Sequence, residues 1–508
     1  MAILGQIIKS AIELGSRLNT EDKSPDQLQE KQLQKLLQQA KSTAFGTYYG
    51  FAKLLEAENP VKAFQEDVPI FNYAKMNQAW WQQQQKLPNI TWPGKPSYFA
   101  LTSGTTSNKS KRIPVTNDML ASFRAVGISQ ALSLSKFDLP NELFEKEVLL
   151  LSSSANLDEH NHGHLEGEIS GINSSNLPPW FGGFYRPGKE IAAIDDWDAR
   201  VEEMAKEAPK WDIGAIAGIP SWVSMMMEKI IKRHQLDTIH DIWPNLQLYL
   251  SGGVAFEPYR QTFEKLTTRP LTYMDTYLAS EGFFSYTARP DTMHMKLAIN
   301  HDIFYEFIPF DKAGFDDTGN LLDQPEVLTI DQVEADKDYA LLISTPAGSW
   351  RYMIGDTIRF TDLEAMEMRI SGRTKYFLNV VGSQLSEDKM NRAIEAVEKE
   401  LNIDIKEFSV AAMQDAEDNF YHQWVIGTES GEEAAILDKL DTTLKDINKN
   451  YGVARSKALK AVKVTTMPAA LIYDWLETKK KKGGQIKTPK IMKAEMMQDL
   501  LNFAKAKT

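Results

Sequence analysis

From about residue 145 to 280, short apolar runs alternate with helical patterns, and this alternation constrains the fold more than any other feature of the chain. Val148-Leu149-Leu150-Leu151, Ile213-Gly214-Ala215-Ile216, Leu246-Gln247-Leu248-Tyr249-Leu250 and Leu271-Thr272-Tyr273-Met274 predict strands. Trp222 to His234 predicts a helix between two of them. Strands that alternate with helices need crossovers, which implies an α/β sheet. After residue 300 the strands come closer together, as in an antiparallel appendix: Phe304 to Ile308, Val327 to Ile330 and Ala340 to Ile343. Two helices open the chain. The second carries Leu33, Leu36, Leu37 and Ala40 on one face and ends before Gly46. The first has Ile3, Leu4, Ile7, Ile8 and Ile12 at helical spacing, interrupted by Gln6, Lys9, Ser10 and Glu13. It is amphipathic, and we read it as packing on its own domain rather than lying on a membrane. No secretory signal is legible and no run approaches the length of a membrane span. The expectation is a cytoplasmic protein with no membrane insertion.

The pattern changes near Gly372-Arg373. Tyr376 to Val381 predicts a strand, and Ser386 is placed to cap a helix with Met390, Ala393, Ile394, Val397 and Leu401 on one face. Strand-like runs at Phe408 to Ala411 and Trp424 to Ile426 follow. A helix with Ile436, Leu440, Leu444 and Ile447 comes next, then a run from Ala461 to Val464. Strand, helix, two strands, helix, strand is the order of a small ferredoxin-like α+β unit. The boundary falls near 365–375. It divides the chain into an N-terminal domain, 1–370, and a C-terminal domain, 371–508.

Between the opening helices and the alternating region lies Thr102-Ser103-Gly104-Thr105-Thr106-Ser107-Asn108-Lys109-Ser110-Lys111, preceded by the strand-like Tyr98-Phe99-Ala100-Leu101. Small hydroxyl residues around one glycine can turn several N–H and O–H groups toward one anion, with ammonium groups nearby. It is not a Walker A loop, because Ser103 and Asn108 stand where both glycines are required. The formal net charge of -12 disfavours nucleic acid but leaves room for a local site for a small polyphosphate. The chain has no cysteine, which excludes disulfides, thiolate nucleophiles and Cys-ligated metals. No Gly-x-Ser-x-Gly elbow of a serine hydrolase occurs.

Four further segments join the loop. Ser251-Gly252-Gly253-Val254 ends a strand with two glycines; it suits the close approach of a flat ligand, or simply a turn. Asp275-Thr276-Tyr277-Leu278-Ala279-Ser280-Glu281 offers an aromatic face, a hydroxyl and a carboxylate. Those would suit a base, a phosphate and Mg²⁺ respectively. Trp350-Arg351-Tyr352-Met353-Ile354-Gly355-Asp356 places a carboxylate after glycine, where it can accept hydrogen bonds from both ribose hydroxyls. Lys482-Gly483-Gly484-Gln485-Ile486-Lys487-Thr488-Pro489-Lys490 holds lysine in a glycine-rich loop that can swing a charge onto a phosphate.

Taken in order, these segments resemble the core motifs of adenylate-forming enzymes, the superfamily of acyl-CoA synthetases, luciferases and peptide-synthetase adenylation domains. Within it the chain resembles the Gretchen Hagen (auxin-responsive promoter) acyl-acid amido synthetases. Thr102 to Pro114 is similar to that branch's S-S-G-T-T-x-G-x-x-K-x-I-P, Thr345 to Asp356 to its G-x-Y-R-Y-x-x-G-D, and Gln485 to Lys490 to its Q-x-K-x-P-R. Departures are Ser107-Asn108 in the loop, Trp350 for a smaller aromatic, Leu278-Ala279, and Lys490 for arginine. The resemblance implies a large N-terminal adenylate-forming domain of mixed sheets and helices and a small C-terminal one. It implies ATP and Mg²⁺, a carboxylic acid converted to acyl-AMP plus pyrophosphate, and transfer of the acyl group to an amine, usually an amino acid. Transfer to CoA, or binding without turnover, are the alternatives. The implied roles are phosphate binding by Ser103, Gly104, Thr105, Thr106 and Lys111, and adenine framing by Gly252, Gly253 and Tyr277. Ser280 would meet the α-phosphate, Glu281 the Mg²⁺ and Asp356 the ribose. Arg373 and Lys375 would lie at the hinge, and Lys487 would stabilise charge on the α-phosphate. The acid, the amine and the oligomeric state are not legible.

Two other candidates carry less. His160, His162 and His164 alternate as Zn²⁺ ligands can, but no partner ligand is legible elsewhere, and we read a polar loop near the acyl pocket. Arg124, on the helix after the phosphate loop, is read as a surface arginine rather than a partner for a substrate carboxylate.

Overall fold

The computed structural model describes residues 3–18, 23–102, 111–177, 182–254, 256–316, 319–374, 385, 387–415, 417, 419–457, 459–479 and 488–507. The first two strands, β1 (Tyr98–Thr102) and β2 (Lys111–Val115), flank the Ser/Thr/Gly loop and pair antiparallel, Thr102 opposite Lys111. β3 (Glu147–Leu151) starts the main sheet, while β4 (Asp158–Glu159) and β5 (Leu165–Gly167) return to β1 to form a small sheet in the order β2-β1-β5-β4.

The main sheet has eleven strands and two halves. β6 (Tyr185–Arg186), β7 (Ile213–Gly218), β8 (Leu248–Gly252) and β9 (Thr272–Ala279) join β3 in parallel pairs, in the order β6-β3-β7-β8-β9. The helices Trp197–Glu207 and Pro220–His234 connect them, as the alternation requires. The second half is antiparallel: β10 (Gly282–Tyr286), β11 (Met295–Leu297), β12 (Phe304–Pro309), β13 (Asp338–Ser344), β14 (Tyr352–Asp362) and β15 (Glu367–Arg373), ordered β9-β10-β11-β15-β14-β13-β12. Two expectations shift. β9 runs to Ala279, beyond Met274, because it is hydrogen-bonded to β8 on one side and β10 on the other. Val327 to Ile330 is not a strand of the sheet. Only Leu328 bridges to Phe307, and the chain turns at once as Gln332 N bonds Thr329 O.

The helix Ile3–Leu18 packs on its own body. Gly5 N donates to Glu145 Oε1 at 2.7 Å and Lys9 Nζ to the Leu139 carbonyl at 2.7 Å. A Cβ at Gly5 would lie 2.0 Å from the Asn141 carbonyl oxygen, so the close approach needs glycine. No helix among the described residues is long and apolar enough to cross a membrane.

Residues after 385 build a separate sheet of β16 (Glu407–Gln414), β17 (Phe420–Gly427), β18 (Leu459–Met467) and β19 (Ile491–Met492), ordered β18-β17-β16-β19. The amphipathic helices Glu387–Leu401 and Glu433–Ile447 bury Ile394, Val397, Ile436, Leu440 and Leu444 against Phe408, Trp424 and Val464. The succession helix, strand, strand, helix, strand is the expected one, with one further helix, Lys449–Lys457, before the last of these strands. The pairing is more specific: β17 and β18 are parallel neighbours, Trp424 opposite Val464, and β19 adds in parallel to β16. A ferredoxin-like sheet instead places another strand between its third and fourth. The expected strand Tyr376 to Val381 and the cap Ser386 lie outside the described residues.

The start of β14 is fixed by burial. Trp350, fully buried, meets Phe51 edge-on with ring centroids 4.7 Å apart, and donates from Nε1 to the Thr91 carbonyl at 3.0 Å. Arg351, at φ +40°, is 4% exposed and lies on Glu306, 1% exposed, with Nε 3.1 Å from each carboxylate oxygen and Nη2 3.0 Å from Oε1. Its Nη1 donates to the carbonyls of Gln65 and Val68. Removing one partner of such a pair strands a buried charge. Glu306→Ala should therefore lower stability by about 3–5 kcal/mol in chemical denaturation. A loss under about 1 kcal/mol, the scale of an exposed pair, would show that water reaches the guanidinium.

Candidate active site

The site forms where the parallel half of the sheet meets the antiparallel half. In open α/β sheets ligands lie outside the carboxyl ends of the strands. β8 ends there in Ser251-Gly252, and Gly253 takes φ +85°. A Cβ at Gly252 would lie 2.7 Å from Thr276 Oγ1, which donates to the Ser251 carbonyl at 2.7 Å. The two glycines thus let β8 and β9 close on one another and turn the chain. Beside them Asp275 is buried, and burial pushes its carboxyl well above the usual range.

Ala279 pairs with Gly282, so Ser280-Glu281 is the two-residue turn between β9 and β10. The Glu281 side chain folds inward and is 7% exposed. Burial raises its carboxyl to about 7; the Lys111 ammonium opposes that rise and the Asp356 carboxylate adds to it. Lys111 stands at the first position of β2, with Nζ 5.4 Å from the centre of the Tyr73 ring.

Asp356 is held from two sides. Tyr277 Oη donates to Oδ2 at 2.5 Å, and Arg373 Nε lies 2.9 Å from Oδ1. The second contact follows from strand register, because Asp356 and Arg373 are direct partners across β14 and β15. Arg373 is raised first by the Asp356 charge, and half of its side chain remains exposed. The Tyr277 ring is 4% exposed and meets Phe284 edge-on, centroids 4.9 Å apart. Tyr352 lies two positions before Ile354 and four before Asp356 on β14, and burial and then the Glu281 charge raise its hydroxyl.

The structure therefore brings together Lys111, Tyr277, Glu281, Asp356 and Arg373. Gly252, Gly253 and Ser280 lie on the turns beside them. Ser103, Gly104, Thr105, Thr106, Lys375 and Lys487 lie outside the described residues. Arg124 is exposed on the helix Asn117–Ser133. Sequence reasoning passed over Tyr352, which β14 carries four residues before Asp356 with an irregularity in pairing between Met353 and Thr357. It also missed Glu166. His164 Nε2 lies 3.0 Å from Glu166 Oε1, and ligand atoms of His160, His164 and Glu166 fall within 4.8 Å of one another. However, Arg112 holds both oxygens of Glu166, at 2.8 and 3.1 Å, and the His160 and His164 rings stack, tilted by only 12°. Stacked rings do not aim their in-plane lone pairs at one point, and the guanidinium already neutralises the carboxylate. The cluster reads as an ion-paired support for β5.

The fold with this cleft is that of the adenylate-forming ligases. It superposes on 2-hydroxyisobutyryl-CoA ligase in the postadenylation state with a TM-score of 0.55 at 13% identity, covering 95% of this chain and 92% of the other. It superposes on the GH3.15 acyl acid amido synthetase with a TM-score of 0.77 at 14% identity, covering 98% and 96%. The chain belongs to the GH3 family: residues 16–201 match the GH3 family N-terminal domain, 296–373 the central domain and 388–496 the C-terminal domain. Among curated relatives, the indole-3-acetic acid-amido synthetase GH3.2 of Arabidopsis thaliana is 28% identical over 167 residues, 31% of this chain and 30% of the relative. GH3.8 of Oryza sativa subsp. indica is 26% identical over 184 residues, 35% and 29%. The matched stretch thus spans under a third of either relative's length.

The raised carboxyl of Glu281 has a sign that can be checked in the metal-free protein. The folded state holds its proton up to about pH 7, whereas an unfolded chain releases it near 4.5. Its contribution to stability is present below the unfolded value and is lost as pH rises toward 7. Relative to the parent, Glu281→Gln should gain about 3 kcal/mol between pH 5 and 8. Parallel stability-versus-pH curves for the two proteins would show that Glu281 is not buried from solvent.

Proposed function

We propose that this protein is an ATP-dependent acyl-acid amido synthetase. The observation that carries the reading is the Asp356 carboxylate held by Tyr277 and Arg373 beside buried Glu281 and Lys111, in a member of the GH3 family. Asp356 has lone pairs for two ribose hydroxyls in addition to its protein donors. Gly252 and Gly253, where β8 ends and the chain turns, frame the adenine. The Ser103–Thr106 loop and Lys111 bind the phosphates, and Ser280 meets the α-phosphate.

Glu281 fits a divalent ion. It is a single buried carboxylate with a second acid, Asp356, nearby, and Mg²⁺ characteristically takes one or two carboxylates plus substrate phosphates. Bound there, Mg²⁺ supplies charge neutralisation to the triphosphate. In the first half-reaction a carboxylate oxygen of the acid attacks the α-phosphorus, and the bond to the β-phosphate breaks to release pyrophosphate. Lys487 stabilises the charge that develops on the α-phosphate oxygens. In the second, an amine nitrogen, that of an amino acid, attacks the acyl carbon. The acyl–phosphate bond breaks, AMP leaves and the nitrogen loses a proton.

The division into domains 1–370 and 371–508 belongs to the same proposal: the C-terminal domain carries Lys487 and moves to present it. We place the protein in the cytoplasm, where ATP and amino acids are abundant.

Lys487→Ala should slow acid-dependent ATP–pyrophosphate exchange by about 10²–10³, the effect of losing one preorganised donor. ATP affinity should change much less, because the interaction belongs to the transition state. Amide formation from a chemically supplied acyl-adenylate should also fall less. Equal losses in both half-reactions would remove Lys487 from the adenylation step. Acyl transfer to added CoA but to no amino acid would make the protein an acyl-CoA ligase.

A further inference from the structure

The segment directly after Lys487 is tied down at several points. β19 pairs with β16, Val410 opposite Ile491. Val410 N donates to the Lys490 carbonyl at 2.8 Å, and Ser409 Oγ to the Pro489 carbonyl at 2.8 Å. Lys490 Nζ donates to Glu407 Oε2 at 3.0 Å, with the two side chains 9% and 3% exposed. The other oxygen of Glu407 accepts from Tyr473 Oη at 3.3 Å and from Tyr259 Oη at 3.1 Å. Tyr259 comes from the larger body, on the short 3-10 turn Glu257–Tyr259 that follows Gly252-Gly253. One buried carboxylate thus joins three pieces: the turn after β8, the helix Ala469–Thr478 and the segment after the lysine loop.

Chemistry makes this junction selective. A buried carboxylate is tolerated when a cation and further donors complete its shell, and here one lysine and two phenols do so. The same boundary is crossed by Lys406 Nζ to Glu228 Oε1 at 2.7 Å and by Thr262 Oγ1 to Asp404 Oδ1 at 2.9 Å. The Lys406–Glu228 pair is more exposed and contributes less. Beside the junction lies a small cavity lined by Ile219, Val254 and Thr488, among others. Thr488 adjoins Lys487 and Val254 adjoins Gly253, so this docking brings the root of the lysine loop to the turn assigned to the nucleotide. Thr488 Oγ1 is buried and has no hydrogen-bond partner among the described residues.

We propose that Glu407 and Tyr259 are positioning residues for adenylation: Glu407 anchors Lys490, three residues after Lys487, to the Tyr259 turn that follows Gly252-Gly253. The inference rests on the adenylation role of Lys487 given above. Glu407 touches no substrate and acts through the loop.

The test uses the full-length protein with Glu407→Gln, Tyr259→Phe, Lys490→Met and the conservative Lys490→Arg. In Glu407→Gln, exchange at saturating ATP should fall about tenfold or more, as expected when a reacting group is misplaced. The KM for ATP should stay within about twofold, because ground-state nucleotide contacts remain. Amide formation from supplied acyl-adenylate should also stay within about twofold. Tyr259→Phe and Lys490→Met should shift the same ratio in the same direction, and Lys490→Arg should restore it. A second readout needs no catalysis: trypsin should cleave the lysine-rich stretch 479–487 faster in Glu407→Gln than in the parent, well below the melting temperature of both and with cleavage elsewhere in the chain unchanged. Unchanged exchange, equal losses in both half-reactions or an unchanged cleavage rate would overturn the positioning role. A parent that exchanges pyrophosphate with no acid would overturn the adenylation reading, while the cleavage comparison would still judge the anchor.

Discussion

The buried pairing of Arg351 with Glu306 is the constraint on which the centre of this protein depends. Arg351 sits in a backbone conformation that side chains rarely adopt, and its guanidinium reaches Glu306 on β12 as well as two carbonyls of the N-terminal helical region. Three parts of the chain that are distant in sequence therefore share one charge. β14 begins one residue later, so the register of that strand starts from a fixed point. Five residues inside the site, Asp356 stands opposite Arg373 because of that register.

Electrostatics then distribute the charges of the cleft unequally. Asp356 has two donors of its own, whereas Glu281 has burial and an acidic neighbour, opposed by Lys111. Glu281 is thus poised to take a proton. A cation arriving at Glu281 would have to displace that proton.

Much of this was legible in the sequence because it follows from local pattern. The strands Val148 to Leu151 and Ile213 to Ile216 and the helix ending at His234 are apolar runs at their own period, and burial on both faces only reinforces them. Glu281 and Gly252-Gly253 were found because each sits at a strand end or turn, where chemistry-bearing residues stand out, and Asp356 because it follows a glycine inside β14. What escaped depends on contacts between distant segments. Tyr277 was read as a platform for a base, and nothing nearby in sequence reveals that its hydroxyl reaches Asp356. The bridge at Leu328 has the composition of a strand but finds only one neighbour to pair with. The direct pairing of β17 with β18 is likewise invisible locally, since the same order of elements permits either neighbour. Glu166 was overlooked because Arg112, its partner, comes from another strand.

The contact between Tyr277 and Asp356 spans 79 residues of chain. A ribosome therefore releases the β9–β10 hairpin, with its phenol and its acidic turn, well before the strands that complete the cleft. Until β14 and β15 have emerged, the nascent chain has the glycine turn and the glutamate but neither Asp356 nor Arg373. A ligand that needs Asp356 cannot template the early folding of this protein. It can only reward a chain that has already closed the antiparallel half of its sheet, which makes ligand binding a report on the end of folding rather than a participant in its beginning.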